Sequence, residues 1–250
     1  MKGMYLRKII MLFIVFSGFV FELSAQTDQP VILLKREHSG YFTASTRGWG
    51  VGYHRGNFLT GYSKWMWEVE LTTLRHPKEF RRTNELFPNA KTFYYGKLNK
   101  VYLLRGALGI QRVLSEKPHW GGVSVRYAYY AGATLGIAEP VYLGIVNYVS
   151  SEGDIRIEYE RYDPDKHFID NIYGRGPFGK GFFESSIYPG IYVRTAMNFD
   201  YGVEYDVIRA LEVGATLDFF PKAIPIMATE DNSNLILTFY LSFHIGNRMK

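Results

Sequence analysis

Residues 235–245 have the sequence L-I-L-T-F-Y-L-S-F-H-I, in which apolar and mostly polar side chains alternate. The apolar set consists of Leu235, Leu237, Phe239, Leu241, Phe243 and Ile245. The other set consists of Ile236, Thr238, Tyr240, Ser242 and His244. This period is typical of a β-strand whose two faces meet different media. Because a tilted strand needs about 9–11 residues to cross a membrane, the run predicts the closing strand of a transmembrane β-barrel.

The rest of the chain repeats this alternation, and the connections between the segments differ in length. The other predicted strands are 40–47, 49–56, 63–75, 101–114, 122–135, 191–199 and 211–219. The short connections are 57–62, 115–121 and 200–205, and the long ones are 75–99, 149–186 and 220–234. Bacterial barrels have short periplasmic turns and long external loops. We therefore expect an all-β, antiparallel transmembrane barrel of eight strands, or of ten if 142–148 and 154–162 form a further pair.

Residues 48–53, G-W-G-V-G-Y, alternate glycine with large side chains. The pattern predicts a tightly curved strand with glycines on one face and bulky side chains on the other.

The N-terminus has the features of a secretory signal peptide. Lys2, Arg7 and Lys8 precede an apolar run at 9–21, and Ala25 supplies the small residue for cleavage. The apolar run is short for a membrane helix of roughly 20 residues, which is the alternative interpretation. We expect a signal peptide over 1–25, a periplasmic tail over 26–39, and a barrel over 40–246 in the outer membrane.

Alternation places a set of charged residues on the inner faces of the predicted strands. The set consists of Glu68, Glu70, Arg105, Arg126, Arg194, Glu212, Asp218 and His244. An eight-stranded barrel is just wide enough to be filled by its own side chains, so these residues predict a lumen closed by ion pairs. A conducting charged lumen is the first alternative and a catalytic arrangement is the second. Arg194 and Glu212 lie on neighbouring predicted strands, and we expect them to pair.

The catalytic alternative rests on Ser242 and His244, with Glu212 or Asp218 as the acid of a lipid hydrolase. Residues two apart on a strand lie about 7 Å apart, so a direct Ser242–His244 hydrogen bond should be strained, and no G-x-S-x-G elbow is present. Residues 174–181 contain a G-x-G-x-x-G and nearly match the phosphate-binding loop G-x-x-x-x-G-K-[ST], but Gly181 stands where that loop requires a hydroxyl residue. With no cysteine and no metal-ligand spacing among the histidines, we expect neither a cofactor nor a metal, and no enzymatic activity.

Six segments are similar to a family of outer-membrane β-barrel proteins from Bacteroidota, and the resemblance covers most of residues 38–248. They are GWGVGY (48–53), HPKEFR (76–81), YGKLN (95–99), ERYDPDKHFIDNIYGRGPF (160–178), YPGIYV (188–193) and ALEVGATLDFFPKAIPIMA (210–228). The resemblance implies the barrel and its location, and it implies no activity for particular residues.

The long connection after residue 75 is rich in cations, including Arg75, Lys78, Arg81 and Arg82. Outside the membrane it would face anionic lipopolysaccharide, whose phosphates favour arginine forks. The formal net charge of +5 is too mild to indicate nucleic acid. The sequence therefore predicts a non-catalytic structural or accessory barrel that binds lipopolysaccharide or other outer-membrane proteins through its loops, with a small porin and a lipid hydrolase as alternatives.

Overall fold

The two faces of the last strand differ in exposure, as the sequence predicts. The computed structural model describes residues 35–87, 89–117, 122–148, 155–204, 206–228 and 230–249. The six apolar side chains of 235–245 at odd positions are 38–59% exposed, whereas the five at even positions are at most 5% exposed. The outward face is therefore an apolar belt, and the inward face is buried.

Thirteen strands are present among the described residues, and eight of them close into the barrel. In chain order they are β1 (Arg36–Ser45), β2 (Gly48–Phe58), β3 (Ser63–Leu74), β4 (Arg81–Arg82), β5 (Phe93–Tyr94), β6 (Asn99–Ser115), β7 (Ser124–Pro140), β8 (Tyr142–Tyr148), β9 (Ile155–Arg161), β10 (Ile172–Arg175), β11 (Ser186–Asp200), β12 (Val207–Phe219) and β13 (Leu235–Met249). Two short 3-10 helices span Ile169–Asn171 and Phe182–Glu184. No helix in these ranges is long and apolar enough to cross a membrane.

The barrel strands follow the order β1-β2-β3-β6-β7-β11-β12-β13, and β13 pairs back with β1. All neighbours are antiparallel, and the closing register runs from Arg36 opposite Met249 to Ser45 opposite Tyr240. The prediction of an eight-stranded antiparallel barrel is confirmed. The ten-strand alternative is wrong, because β8 pairs with β9 on one side and with β10 on the other, in a three-stranded sheet separate from the barrel.

The two ends of the barrel differ. The strand ends joined by the links from β2 to β3, from β6 to β7 and from β11 to β12 lie at the end that also carries the start of β1 and the finish of β13, which we call the turn end. The strand ends joined by the longer links, from β3 to β6, from β7 to β11 and from β12 to β13, lie at the opposite end, the loop end. The described residues of these links include β4, β5, β8, β9 and β10.

The barrel strands begin and end outside the predicted limits of 40 and 246. β1 starts at Arg36 and β13 ends at Met249. Residues 36–39 resemble a polar tail because the inner face of a barrel is polar: Glu37 and Ser39 are buried. The predicted signal peptide and residues 26–34 lie outside the described residues.

The glycines of β2 share one face, as predicted. This face points into the barrel, and one of the glycines makes room for an aromatic ring. A Cβ on Gly52 would overlap the ring of Tyr41. That ring cannot easily move, because it stacks on His244 at 4.8 Å and packs against His54 at 4.4 Å.

We expect Gly52→Ala to destabilise the barrel by about 1–3 kcal/mol, the usual cost of overpacking a filled interior. Gly106 is the matched control, since a Cβ there meets no atom within 4 Å, and Gly106→Ala should change stability by no more than about 0.5 kcal/mol. Urea unfolding in detergent, followed by tryptophan fluorescence, measures both. Equal effects of the two substitutions would contradict this description of the packing.

Candidate functional site

Arg105 on β6 joins three strands in the half of the lumen nearer the loop end. Its guanidinium binds Asp218 on β12 through two hydrogen bonds, Nε–Oδ1 at 3.0 Å and Nη2–Oδ2 at 2.6 Å. Nη1 donates to Oε2 of Glu70 on β3 at 2.9 Å. Because β7 and β11 separate β6 from β12, the Arg105–Asp218 pair spans the lumen.

Arg194 on β11 makes a second crossing. Nη1 lies 2.8 Å from Oε2 of Glu68, and Nη2 lies 2.5 Å from Oε2 of Glu70, both on β3. Glu68 also accepts a hydrogen bond from the Tyr192 hydroxyl at 2.5 Å and lies 2.6 Å from His54 Nε2. These side chains are almost fully buried, so each charge has lost water and has gained an opposite charge.

The predicted Arg194–Glu212 pair is wrong. In the β11–β12 register, Glu212 lies opposite Asn198 and Arg194 lies opposite Thr216. Arg194 and Glu212 are therefore offset by four positions, or about 13 Å, along the strands. Glu212 instead accepts hydrogen bonds from Asn198 Nδ2 at 3.1 Å and from the Tyr240 hydroxyl at 2.9 Å. Neighbouring strands therefore do not supply the partner of Arg194.

Ser242 and His244 do contact each other, contrary to the expectation of strain. Ser242 Oγ lies 2.9 Å from His244 Nε2. However, Glu212 Oε2 approaches the same nitrogen, at 3.8 Å. A hydrolytic triad needs the acid on one ring nitrogen and the nucleophile on the other. All three side chains are also sealed in the lumen, at most 2% exposed, where no lipid ester can reach them.

A further ion-pair cluster closes the turn end. Arg126 lies 3.1 Å from Asp200, and Arg248 contacts both Asp200 and Glu37. Lys64 also binds Glu37. The sequence analysis identified only Arg126. The alternation of the predicted strand 63–75 already places Lys64 on the inner face, and extending the alternation of β11 and β13 by a few residues adds Asp200 and Arg248. Glu37 is found only if it is assigned to a strand and not to a tail.

An apolar cluster lies at the opposite end of the lumen. The connection between β12 and β13 contributes Phe220, Ile224, Ile226 and Met227, which are at most 4% exposed. They pack against the buried ends of β3, β6 and β13, at Leu74, Val101, Leu103 and Ile236. Beneath them, a cavity of about 10 Å³ touches Arg105, Arg194 and Glu70. That volume is at the lower limit for one water molecule.

The loop end carries a much larger cavity of about 980 Å³, which we call the groove. Its described lining includes the cations Arg75, Arg81, Lys91, Lys97, Lys100 and Arg175 and a single carboxylate, Glu79. Lys97 and Glu79 form a buried pair at 2.7 Å. Burial lowers the pKa of Lys97, and its contact with Glu79 opposes that shift.

Of the four cations predicted to contact lipopolysaccharide, two line the groove and two do not. Arg75 and Arg81 line the groove. Lys78 instead binds Glu230 at 2.5 Å, and Arg82 lies over the Phe80 ring at 5.2 Å. Lys91, another cation of the same connection, also lines the groove. Arg175 lines it too but was not identified, because it comes from a distant part of the chain.

Residues 158–170 contain five carboxylates, and Glu158 and Glu160 among them lie close to basic side chains. Arg156 lies 3.3 Å from Glu158, and His167 lies 3.3 Å from Glu160. Within the described ranges, no group of three or more His, Asp or Glu side chains is placed to hold a metal ion.

Neither a protein-family model nor a curated protein matches the sequence. Among solved structures, the chain is similar to Ail, the attachment invasion locus protein of Yersinia pestis (TM-score 0.39, 9% identity, 87% of this chain and 100% of that chain). A second Ail structure, in complex with the heparin analogue sucrose octasulfate, has a TM-score of 0.38 and 8% identity, over 86% of this chain and 96% of that chain. Neisserial surface protein A (NspA) has a TM-score of 0.35 and 11% identity, over 86% of this chain and 95% of that chain. These values assign the chain to no family, and the resemblance to Bacteroidota barrels stays a prediction.

Arg194→Leu should destabilise the barrel by about 3–5 kcal/mol, because it leaves Glu68 without its guanidinium partner. Adding Glu68→Gln should recover part of the loss, whereas adding Glu212→Gln should not. Urea unfolding in detergent measures the three variants. Arg82→Leu is the control, since this exposed side chain should contribute no more than about 0.5 kcal/mol. An Arg194→Leu effect as small as the control would show that the lumen is hydrated.

Proposed function

We propose that this chain is an integral outer-membrane protein with a non-conducting barrel, and that it acts as a non-catalytic structural or accessory component. In this proposal its loop end is external and binds lipopolysaccharide or other outer-membrane proteins. Export begins with a cleaved signal peptide at 1–25, and the chain belongs to a family of Bacteroidota barrels.

Membrane insertion is supported by the outward faces of the barrel strands. Apolar side chains on β3, β6, β11, β12 and β13 are exposed in a continuous belt, for example Leu71, Leu108, Val193, Val213 and Leu241 at 47–56%. In water such a belt would be strongly unfavourable, and hydrocarbon removes that cost. A closed barrel also satisfies its own backbone hydrogen bonds, which spanning structures require.

One observation carries the non-conducting role: Arg105 and Arg194 cross the lumen and bind carboxylates on strands nearly opposite their own. Opening a pore along this axis would leave several charges unpaired in a narrow space, which costs several kcal/mol for each pair broken. The arrangement therefore favours a filled barrel over the porin alternative. The shared use of His244 Nε2 by Ser242 and Glu212 disfavours the hydrolase.

The purified protein in planar bilayers should give conductance at the level of the empty membrane, because paired side chains fill the lumen. A porin of known conductance, inserted under the same conditions, controls for bilayer quality. Regular, long-lived single-channel steps would contradict the filled lumen and would favour the porin alternative.

Orientation can be tested with single cysteines, since the chain has none of its own. Asp165 is exposed at the loop end, and Val203 is 90% exposed in a connection at the turn end. On intact cells, Asp165→Cys should react with a membrane-impermeant thiol reagent and Val203→Cys should not. After permeabilisation both should react, which shows that both sites are accessible. The reverse pattern on intact cells would place the loop end in the periplasm.

A further inference from the structure

The groove lies directly above the lipid-facing wall of two barrel strands. Thr73 on β3 and Tyr102 on β6 are paired in register and both line it. The pair Leu71 and Leu104, two residues nearer the turn end, belongs to the exposed apolar belt, at 47% and 39%. A molecule held in the groove can therefore reach the belt with an apolar tail.

The charge of the groove is strongly unbalanced. Six cationic side chains face it against one carboxylate among its described lining residues. Glu79 is already bound to Lys97, so it offers little repulsion to an incoming anion.

Three of the cations have no side-chain partner in the described structure: Arg75, Lys91 and Arg175 make no ion pair, side-chain hydrogen bond or ring contact there. They come from the connection after β3, from the segment before β5, and from the end of β10. Convergence of three unpaired cations from separate segments costs free energy through mutual repulsion. A bound anion removes that cost, as expected for a ligand site.

The other cations of the groove are held in place. Arg81 donates to the Tyr94 hydroxyl at 2.7 Å and lies over its ring at 5.4 Å. Lys100 lies 3.4 Å from Glu139 and 5.5 Å from the ring of Phe178, which is 91% exposed. Aromatic faces beside a few polar groups are typical of sites for small organic ligands, and here they offer packing surfaces for a sugar ring.

We propose that the groove binds the phosphorylated sugar headgroup of an outer-leaflet glycolipid. Arginine forks match phosphate oxygens in pairs, the aromatic rings pack on the sugar, and the acyl chains continue down the belt below Thr73 and Tyr102. This assignment rests on the proposed outer-membrane function and narrows it to one site, with Arg75, Lys91 and Arg175 as the phosphate ligands and Lys78 and Arg82 outside it.

Binding of lipopolysaccharide to the purified, detergent-solubilised protein tests the assignment. The triple variant Arg75→Gln/Lys91→Gln/Arg175→Gln should weaken binding at least tenfold. The matched control, Lys78→Gln/Arg82→Gln/Lys166→Gln, loses the same charge at exposed positions outside the groove and should change the affinity no more than twofold. Heat-dependent gel migration verifies that both variants are folded.

Two chemically altered forms of lipopolysaccharide show which of its groups the groove binds. Lipopolysaccharide treated with phosphatase should bind the native protein at least tenfold more weakly, and the delipidated, still phosphorylated oligosaccharide should also bind more weakly than the whole lipid. An equal loss of affinity in the groove variant and in its matched control, or no loss in the groove variant, would contradict the proposed site. Full affinity for the delipidated sugar would overturn the assignment to a membrane lipid. Because purified protein is used, these outcomes are independent of the conductance and labelling results.

Discussion

The salt bridge from Arg194 to Glu68 and Glu70 is the contact on which the rest of the structure depends. An eight-stranded barrel leaves an interior only as wide as its side chains, and in this barrel many of those side chains are polar or charged. Charges in such a space are tolerated only if they are paired. Arg194 and Arg105 satisfy this condition by reaching across to β3 and β12, so the same contacts fill the lumen and tie distant strands together.

The filled lumen supports the proposal that binding takes place at the loop end and not inside the barrel. Within the described residues, side chains fill the barrel axis except for a cavity of about 10 Å³, and Ser242, His244 and Glu212 are buried. The long connections instead build two small sheets at the loop end, and the groove forms where they meet the tops of β3 and β6. In the function proposed above, the barrel is a rigid support for a binding surface at the loop end.

Alternation in the sequence predicted the eight strands and the inward face of β13, because a period of two is a local property of the chain. The partner of Arg194 was not predictable in this way: it depends on strand stagger and on reach across the lumen, which neighbouring strands do not reveal. Glu37 was missed because an inward-facing polar strand resembles a tail. Arg75 and Arg81 stood out as a local charge run, whereas Arg175 reaches the groove only through tertiary folding.

Exchange of the arginine guanidinium protons with water, measured by NMR on arginine-labelled protein in detergent, tests the central claim most directly. A filled, ion-paired lumen predicts that the protons of Arg105 and Arg194 exchange far more slowly than those of the exposed Arg82, at rates close to those of the barrel amides. Exchange of Arg194 as fast as that of Arg82 would mean that water reaches the lumen, and would contradict the account.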